Sequence, residues 1–323
     1  MEEVIQVPKA KLNSGHQLPL LAMGTASSSL PDPDQLTSIF IQAIEMGYRH
    51  FDTAAVYGSE EAVGRAVAAA LQRGLVASRD KLFITTKLGC SETERHLVVP
   101  ALRRSLGRLG LDYVDLYLIH WPLRVKDAVE GAKIKTENVV PFDMKGTWEG
   151  MEECCNLGLA KSIGVSNFTS TKILQLLQNA TIPPAVNQVV EMSVAWQQSK
   201  LVEFCREKGI QVSAWSPLGA NDAPWGNPGL LEIPQLKDVA MTKNKTTAQV
   251  ALRWIFEQGA CPIVKSFNKE RMKQNLQIFT WELGEEEIGK IQQIPQRRGC
   301  RADIFVHPNG PYKSVEELWD GDI

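Results

Sequence analysis

Short apolar runs alternate with stretches of helical periodicity along most of the chain. Each run is rich in β-branched or aromatic residues and has the length of a buried strand. Most are followed by apolar residues at i, i+3 and i+4 spacing, as from Leu36 to Ile44 before Gly47. The eight runs are Leu20–Met23, Tyr48–Phe51, Leu82–Thr85, Val114–Ile119, Ser162–Val165, Ala185–Val189, Gln211–Ala214 and Pro262–Val264.

Strands that alternate with helices at this spacing predict parallel pairing through right-handed crossovers. Eight such units favour a closed (β/α)8 TIM barrel over an open doubly wound sheet. The sequence has no Gly-x-Gly-x-x-Gly motif after its first strand and no Walker-type phosphate loop. Residues 9–18 alternate around Ser14-Gly15, which predicts an N-terminal β-hairpin across the barrel floor. We expect one barrel domain over residues 1–323.

Small polar residues before an acidic or amphipathic turn predict helix starts at 58–61, 166–169 and 266–270. Two connections are longer than the rest, and both surpluses follow a strand: Pro122–Asp143 and Pro217–Gly229. Loops after the strand C-termini form the active-site face of such barrels. We therefore expect these loops and the irregular tail, residues 295–323, to form the walls of a site, although tolerated surface insertions give the same pattern.

The aromatic residues of the tail allow two interpretations. Phe305, Tyr312 and Trp319 could fold back as an apolar lid over a ring-containing substrate. Alternatively, Trp319 only docks the tail to the outer helices.

Composition narrows the classes of function. The 323 residues have a formal net charge of −2, which gives no electrostatic reason to expect nucleic acid or an anionic membrane as a partner. No apolar run approaches the ~18 residues that span a bilayer, and the start lacks the basic and apolar regions of a secretory signal. The six cysteines show no C-x-x-C spacing, which is typical of free thiols. We expect a cytoplasmic protein.

Four titratable residues stand at or just after the ends of neighbouring strands. Asp52 ends the second strand and Tyr57 follows it, Lys87 ends the third, and His120 ends the fourth. Such groups are costly to bury, so each needs a partner or a task. Because three adjacent strand ends meet in a closed barrel, we expect the four side chains to lie together. A structural network would place a buried Asp–Lys pair in the same way.

These four groups suit proton delivery by a phenol. A tyrosine hydroxyl with a pKa near ~10 is a weak acid, and Lys87 beside Tyr57 is expected to lower that pKa while Asp52 orients Lys87. His120 can hydrogen-bond the oxygen that receives the proton. No metal-ligand spacing and no Gly-x-Ser-x-Gly motif accompany them. A general acid without a nucleophile favours carbonyl reduction, with the hydride supplied by a bound cofactor.

The C-terminal half offers groups that could hold that cofactor. The amides of Asn167 and Gln188 suit a carboxamide, and the face of Trp215 suits stacking on a nicotinamide. Lys265, Arg271 and a helix N-terminus after the eighth strand could hold a phosphate. An ordinary solvated helix with basic residues is an equal alternative for this last segment.

Several separated motifs resemble the aldo-keto reductase superfamily, and the resemblance runs along nearly the whole chain. Within the superfamily, the sequence is most similar to plant ketone reductases of specialised metabolism, such as chalcone, codeinone and methylecgonone reductases and deoxymugineic acid synthase. The motifs are Phe51-Asp52-Thr53-Ala54 with Tyr57-Gly58-Ser59-Glu60, Lys87, His120-Trp121-Pro122, Gly164-Val165-Ser166-Asn167-Phe168, Asn187-Gln188, Ser216-Pro217-Leu218-Gly219 and Lys265-Ser266-Phe267-Asn268.

The resemblance implies a monomeric barrel that binds NADPH without a Rossmann motif and reduces a small carbonyl substrate, with no metal. The implied catalytic residues are Asp52, Tyr57, Lys87 and His120. The implied cofactor-binding residues are Thr25, Asp52, Ser166, Asn167, Gln188, Trp215, Ser216, Leu218, Lys265, Ser266, Phe267, Asn268, Arg271, Gln274 and Asn275. Ala26 and Trp121, together with Trp225 on the loop above them, are the expected substrate-binding residues.

One segment departs from the family pattern. Where relatives read Asn-Gln-Val-Glu after the sixth strand, this chain has Asn187-Gln188-Val189-Val190-Glu191, one residue more. A single insertion in a strand reverses the faces of the following side chains, and a bulge after Gln188 would leave a carboxamide contact intact. The expected effect therefore falls on the orientation of the segment Glu191-Met192-Ser193.

Two other functions remain open at this point. One is a broad-range aldehyde reductase that detoxifies reactive carbonyls, and the other is a non-catalytic barrel that only binds a nicotinamide cofactor. The four intact strand-end groups argue against the second.

Overall fold

A computed structural model describes residues 5–126, 135–189, 191–220, 223 and 226–322 of the chain. Eight parallel strands close into a barrel in the order β3-β4-β5-β6-β9-β10-β11-β12, with helices packed around it, which confirms the predicted (β/α)8 fold. The strands are β1 (Lys9–Lys11), β2 (Gln17–Pro19), β3 (Ala22–Gly24), β4 (His50–Asp52), β5 (Phe83–Leu88), β6 (Val114–Ile119), β7 (Arg124–Val125), β8 (Val139–Val140), β9 (Ala160–Ser166), β10 (Val186–Val189), β11 (Gln211–Trp215) and β12 (Cys261–Val264).

The helices fill the connections between barrel strands and continue into the tail. They are α1 (Pro33–Met46), α2 (Glu60–Gln72), α3 (Arg95–Leu109), α4 (Met144–Asn156), α5 (Ser170–Leu177), α6 (Ser199–Glu207), α7 (Pro234–Lys243), α8 (Thr247–Glu257), α9 (Lys269–Leu276), α10 (Glu285–Gln292) and α11 (Val315–Leu318). Within the described ranges, no helix has the length and apolar character needed to cross a membrane.

All eight predicted apolar runs coincide with barrel strands. Five of these strands (β3, β4, β5, β9 and β11) extend further at their C-terminal ends than the apolar runs do, and the parallel register pairs polar residues there as well. Asp52 of β4 is opposite Thr85 of β5, and Lys87 of β5 is opposite Leu118 of β6. Every residue of β5 is buried, including Lys87. The ends of the strands thus carry polar side chains into the barrel.

The N-terminal hairpin closes one end of the barrel, as predicted. Strands β1 and β2 pair antiparallel, and Leu12 and Leu18 are buried in a cluster with Phe83, Leu116 and other residues of the barrel strands. Burial of a leucine side chain is worth ~1.5–3 kcal/mol, so this contact seals the floor. Solvent therefore reaches the barrel interior from the opposite end, where the strands end.

Helix ends follow local signals in most places. α1 ends at Gly47 and α3 at Gly110, both with positive φ. α2, α5 and α9 begin beside the three predicted starts, with Thr169 and Asn268 as N-caps of the latter two. Because glycine adopts positive φ without steric cost, these stops are readable from the sequence.

The long loop after β6 contains structure that the sequence pattern does not show. Its described parts include β7 and β8, which pair antiparallel. Strands of two residues have no periodicity to detect. Residues 127–134 of this loop, and residues 221, 222, 224 and 225 of the loop after β11, lie outside the described residues.

Candidate active site

The ends of two neighbouring strands, β4 and β5, bring a lysine and an aspartate into contact inside the barrel mouth. The Lys87 Nζ donates a hydrogen bond to Asp52 Oδ1 at 2.6 Å and to the Thr53 carbonyl oxygen at 2.9 Å. Neither side chain of this ion pair has appreciable exposure. A buried ammonium is tolerated only when its donors are satisfied, and here the backbone and the carboxylate satisfy two of them.

Tyr57 and His120 complete the group of four that the sequence singles out. Tyr57 ends the 3₁₀ turn Ala55–Tyr57 after β4, and its hydroxyl lies 3.3 Å from His120 Nε2. The Lys87 Nζ lies 4.9 Å from the centre of the Tyr57 ring, close enough for its charge to act on the phenol. Tyr57 is half-buried, so this polar cluster opens toward solvent at its ring.

The protonation of the cluster is set by burial and by Lys87. Burial alone would lower the pKa of Lys87, but the charge of Asp52 and the contact with Tyr57 outweigh it and raise that pKa. Burial raises the pKa of the Tyr57 phenol, and the charge of Lys87 opposes this without cancelling it. The sequence-based expectation of a lowered phenol pKa is therefore wrong for the free protein, because it omits burial.

His120 is a neutral imidazole in this site. Burial, and secondarily the charge of Lys87, lowers its pKa to about 3. Beneath the site, His50 is buried as well, with its pKa lowered to about 4 by burial. Its Nε2 lies 2.9 Å from the Thr85 hydroxyl, and its Nδ1 lies 3.2 Å from the Pro19 carbonyl oxygen.

A chain of buried hydroxyls fixes the backbone that carries Asp52 and Tyr57. Thr25 Oγ1 donates to the Asp52 carbonyl oxygen at 3.0 Å and lies 2.7 Å from Ser59 Oγ, which is 2.8 Å from Thr53 Oγ1. Sequence reasoning missed Thr53, and it read Ser59 as part of a helix start. Ser59 makes no capping bond to α2 because its hydroxyl turns into this chain instead.

The expected carboxamide-binding residues are already tied to the cluster. Gln188 Nε2 donates to Asp52 Oδ2 at 2.8 Å, and Ser166 Oγ donates to the Gln188 carbonyl oxygen at 2.9 Å. Asn167 Nδ2 donates to the His120 carbonyl oxygen at 2.7 Å, and Trp215 Nε1 donates to Asn167 Oδ1 at 3.1 Å. These four residues therefore form one network with the titratable groups.

Backbone strain marks the same edge of the barrel. Asn167 after β9 and Ser216 after β11 have φ of +64° and +52°. Non-glycine residues in this region cost ~1–3 kcal/mol each and concentrate at functional sites. Leu218, two residues beyond Ser216, is half-buried on the same loop.

The basic segment after β12 lies at the start of α9. Lys265 and Arg271 are both exposed, and Lys265 Nζ lies 5.4 Å from the centre of the Phe267 ring. Asn268 caps the helix by accepting from the Arg271 backbone N–H. The predicted adenine-binding residues differ in accessibility: Ser266 and Asn275 are buried, and Gln274 is half-buried.

The side of the barrel mouth around Trp121 is aromatic. The Trp121 ring centre lies 4.9 Å from that of Phe305 and 6.0 Å from that of Trp319, so the tail does lie over this residue. Tyr312 donates from its hydroxyl to the Pro122 carbonyl oxygen at 2.9 Å. Ala26 is exposed at the end of β3, while Trp225 lies outside the described residues.

Comparison with known proteins places these features in one family. The model of the Aldo/keto reductase family matches residues 20–296, which span the whole barrel. The chain belongs to the aldo/keto reductase family. This aldo/keto reductase is 57% identical over 327 residues to rhazimal reductase 2 of Alstonia scholaris, with both chains fully covered. It is 53% identical to deoxymugineic acid synthase 1-D of Triticum aestivum, covering 95% of this chain and 97% of that one.

Solved structures agree with this assignment. A Bombyx mori aldo-keto reductase in complex with NADP superposes with a TM-score of 0.84 at 38% identity, covering 95% of this chain and 98% of that one. An aldo-keto reductase complexed with NADPH also gives a TM-score of 0.84, at 34% identity, covering 96% of this chain and 93% of that one.

The buried histidines make the stability of this aldo/keto reductase depend on pH. Unfolded histidines bind protons below their ordinary pKa of ~6.5, while His50 and His120 stay neutral in the folded state at pH 5. The unfolded state then binds more protons, so the free energy of unfolding falls on acidification, by ~2 kcal/mol per histidine at pH 5.

Denaturant unfolding at several values between pH 7 and pH 5 measures the slope of the free energy of unfolding against pH. We expect His120→Gln to remove about half of it and His96→Gln, at an exposed position, to leave it unchanged. A His120→Gln slope equal to that of the wild type would show that His120 takes up a proton in the folded protein.

Proposed function

We propose that this protein uses NADPH to reduce the carbonyl group of a ketone or aldehyde to an alcohol, with Tyr57 as the general acid. The observation that carries the proposal is the cluster of Asp52, Tyr57, Lys87 and His120, in which a phenol lies against a buried ammonium at the open end of the barrel. Acid–base catalysis requires a proton donor at the reacting oxygen, and Tyr57 is a half-buried donor of this cluster, whereas Lys87 is fully buried.

Each of the four residues has a distinct task in this proposal. Asp52 holds Lys87 in place and charged. Lys87 stabilises the phenolate that Tyr57 becomes after donating its proton, because its charge opposes the effect of burial on the Tyr57 pKa. His120, a neutral imidazole 3.3 Å from the Tyr57 hydroxyl, is placed to hydrogen-bond the same carbonyl oxygen and orient it.

The residues present fit a nicotinamide cofactor with a 2′-phosphate. At one end, Asn167 and Gln188 bring amide groups beside the cluster, and the half-buried Trp215 offers an aromatic face. At the other end, exposed Lys265 and Arg271 at the start of α9 form a cationic site that suits a phosphate. When bound, NADPH supplies the hydride. The two relatives in solved structures that carry NADP and NADPH support this assignment.

The substrate that we propose is a ketone of plant specialised metabolism, of the alkaloid, polyketide or phytosiderophore type. Two observations support this class: the aromatic wall of Trp121, Phe305 and Trp319 suits a ring-containing molecule, and the relatives at 53–57% identity are plant enzymes named for rhazimal and deoxymugineic acid. We further propose that the enzyme acts as a cytoplasmic monomer, in keeping with its six unpaired cysteines.

Removing the Tyr57 hydroxyl tests the proposed general acid. We expect Tyr57→Phe to bind NADPH as the wild type does and to lose at least ~10²-fold in kcat, because acid catalysis contributes ~10²–10⁴-fold. The measurements are NADPH fluorescence titration and single-turnover oxidation of NADPH with a reactive carbonyl. Tyr113→Phe is the matched control, since Tyr113 lies on the outer side between Arg79 and Lys161. A Tyr57→Phe variant with half the wild-type single-turnover rate would remove Tyr57 from this role.

The cationic site at α9 predicts a preference for NADPH over NADH. Charge-assisted hydrogen bonds to a 2′-phosphate contribute ~1.5–3 kcal/mol each, and NADH lacks that group. We expect NADPH to bind at least ~100-fold more tightly, and Arg271→Ala to narrow the ratio by weakening NADPH alone. Arg73→Ala, which removes an exposed arginine directly after α2, controls for the change in net charge. Equal affinities of the wild type for the two cofactors in a fluorescence titration would contradict the assignment.

A further inference from the structure

A buried glutamate holds the start of the C-terminal tail. The Cys300 backbone N–H donates to Glu191 Oε2 at 2.6 Å, and the carboxylate of Glu191 lies directly beside Gly299. Glu191 is only 3% exposed. A backbone donor on a buried carboxylate forms a charge-assisted hydrogen bond, which is stronger than a neutral one.

The contact leaves no room for a side chain on the tail. A Cβ atom built on Gly299 would overlap both carboxylate oxygens of Glu191. The backbone of the tail therefore lies directly against the Glu191 carboxylate, and a side chain at position 299 would have to displace that carboxylate.

Glu191 lies two residues beyond the end of β10. Strand β10 ends at Val189, and Glu191 has a φ of +42°, in the left-handed region. Glu191 therefore does not continue the strand. Its side chain instead reaches residues that are more than a hundred positions later in the sequence.

The same stretch of tail carries the aromatic wall of the substrate side. Trp319 donates from Nε1 to the Arg301 carbonyl oxygen at 2.9 Å, and the Arg298 guanidinium lies 4.1 Å from the centre of the Trp319 ring. Phe305 follows in the turn Asp303–Phe305 and packs on Trp121. The position of residues 299–305 thus determines how far the wall extends over the mouth of the barrel.

We propose that Glu191 is a positioning residue for substrate selection: by holding Gly299 and Cys300, it sets the place of Phe305 opposite Trp121. The inference rests on the proposed function, since it assigns the Trp121 side of the mouth to the substrate. Glu191 itself contacts the tail and none of the four titratable residues of the cluster in the described contacts.

A second anchor keeps the far end of the tail in place when the first is lost. Lys172 of α5 donates to Asp320 Oδ2 and to the Leu318 carbonyl oxygen, each at 2.7 Å, and Thr169 also hydrogen-bonds Asp320. Loss of the Glu191 contact therefore moves residues 299–305 without releasing the whole tail.

The test compares Glu191→Ala, Glu191→Gln and Gly299→Ala with the wild type on two carbonyls, a small activated aldehyde and a bulky cyclic ketone. We expect Glu191→Ala and Gly299→Ala each to raise KM for the bulky ketone about tenfold, with kcat on the aldehyde and the Kd for NADPH within about twofold. Glu191→Gln keeps an acceptor oxygen and is expected to show a smaller rise. Both alanine variants break the same contact between Glu191 and the tail. The double variant should therefore raise KM for the bulky ketone no more than either single variant does.

Two control variants separate this role from general destabilisation. Glu207→Ala removes an exposed glutamate, and Gly289→Ala adds a methyl group where no atom lies within 4 Å. Neither variant should change the ratio of KM for the bulky ketone to KM for the small aldehyde. Unchanged KM for the bulky ketone in both Glu191→Ala and Gly299→Ala, or additive effects in the double variant, would overturn the proposal.

Hydrogen exchange of residues 299–305 gives a readout that does not depend on activity. We expect faster exchange of this segment in Glu191→Ala than in the wild type, with exchange of residues 315–322 unchanged. Equal exchange rates of residues 299–305 in the two proteins would also overturn the proposal. Failure of the proposed function looks different: the wild type itself would show no carbonyl-dependent oxidation of NADPH, while the exchange result would still decide whether Glu191 holds the tail.

Discussion

The ion pair between Lys87 and Asp52 is the constraint on which the rest of the site depends. Both groups are buried, and removing one partner of such a pair typically costs ~3–5 kcal/mol because the other charge is left unpaired. The surrounding contacts follow from satisfying it: the Thr53 carbonyl oxygen takes a second donor of Lys87, the Tyr57 ring lies beside its Nζ, and Gln188 donates to the second oxygen of Asp52. The placement of the proposed catalytic groups and the stability of the site are therefore properties of one network.

Closure of the barrel is what allows this network to form. Strands β4 and β10 lie on opposite sides of the ring of eight, yet Gln188 of β10 and Asp52 of β4 are 2.8 Å apart across the interior. An open sheet would leave these strands far apart. The hairpin that fills the floor with Leu12 and Leu18 excludes water from below, which strengthens the electrostatic contacts above it.

Local patterns were sufficient to predict the strands and the group of four, whereas features made by distant contacts were not predictable. The eight apolar runs and the stops at Gly47 and Gly110 are encoded within a few residues of where they occur. By contrast, the hydroxyl of Ser59, which the sequence places at a helix start, hydrogen-bonds to Thr25 instead of capping the helix. The phenol pKa of Tyr57 likewise depends on burial that only the folded barrel creates. The proposed role of Glu191 is of the same kind. The inserted residue before Glu191 is visible in the sequence, but the contact of Glu191 with residues 299 and 300 is made only in the folded chain.

The charge of Lys87 is the main effect that opposes burial at Tyr57, and the pKa of the Tyr57 phenol measures this directly. Tyrosine labelled with ¹³C at Cζ, followed by NMR against pH, reports that pKa in the wild type and in Lys87→Met, with Tyr57→Phe identifying the resonance. We expect a wild-type pKa above the ordinary ~10 and a further increase in Lys87→Met, since the ammonium no longer stabilises the phenolate. A wild-type pKa below ~10, or one that Lys87→Met leaves unchanged, would contradict this role of Lys87.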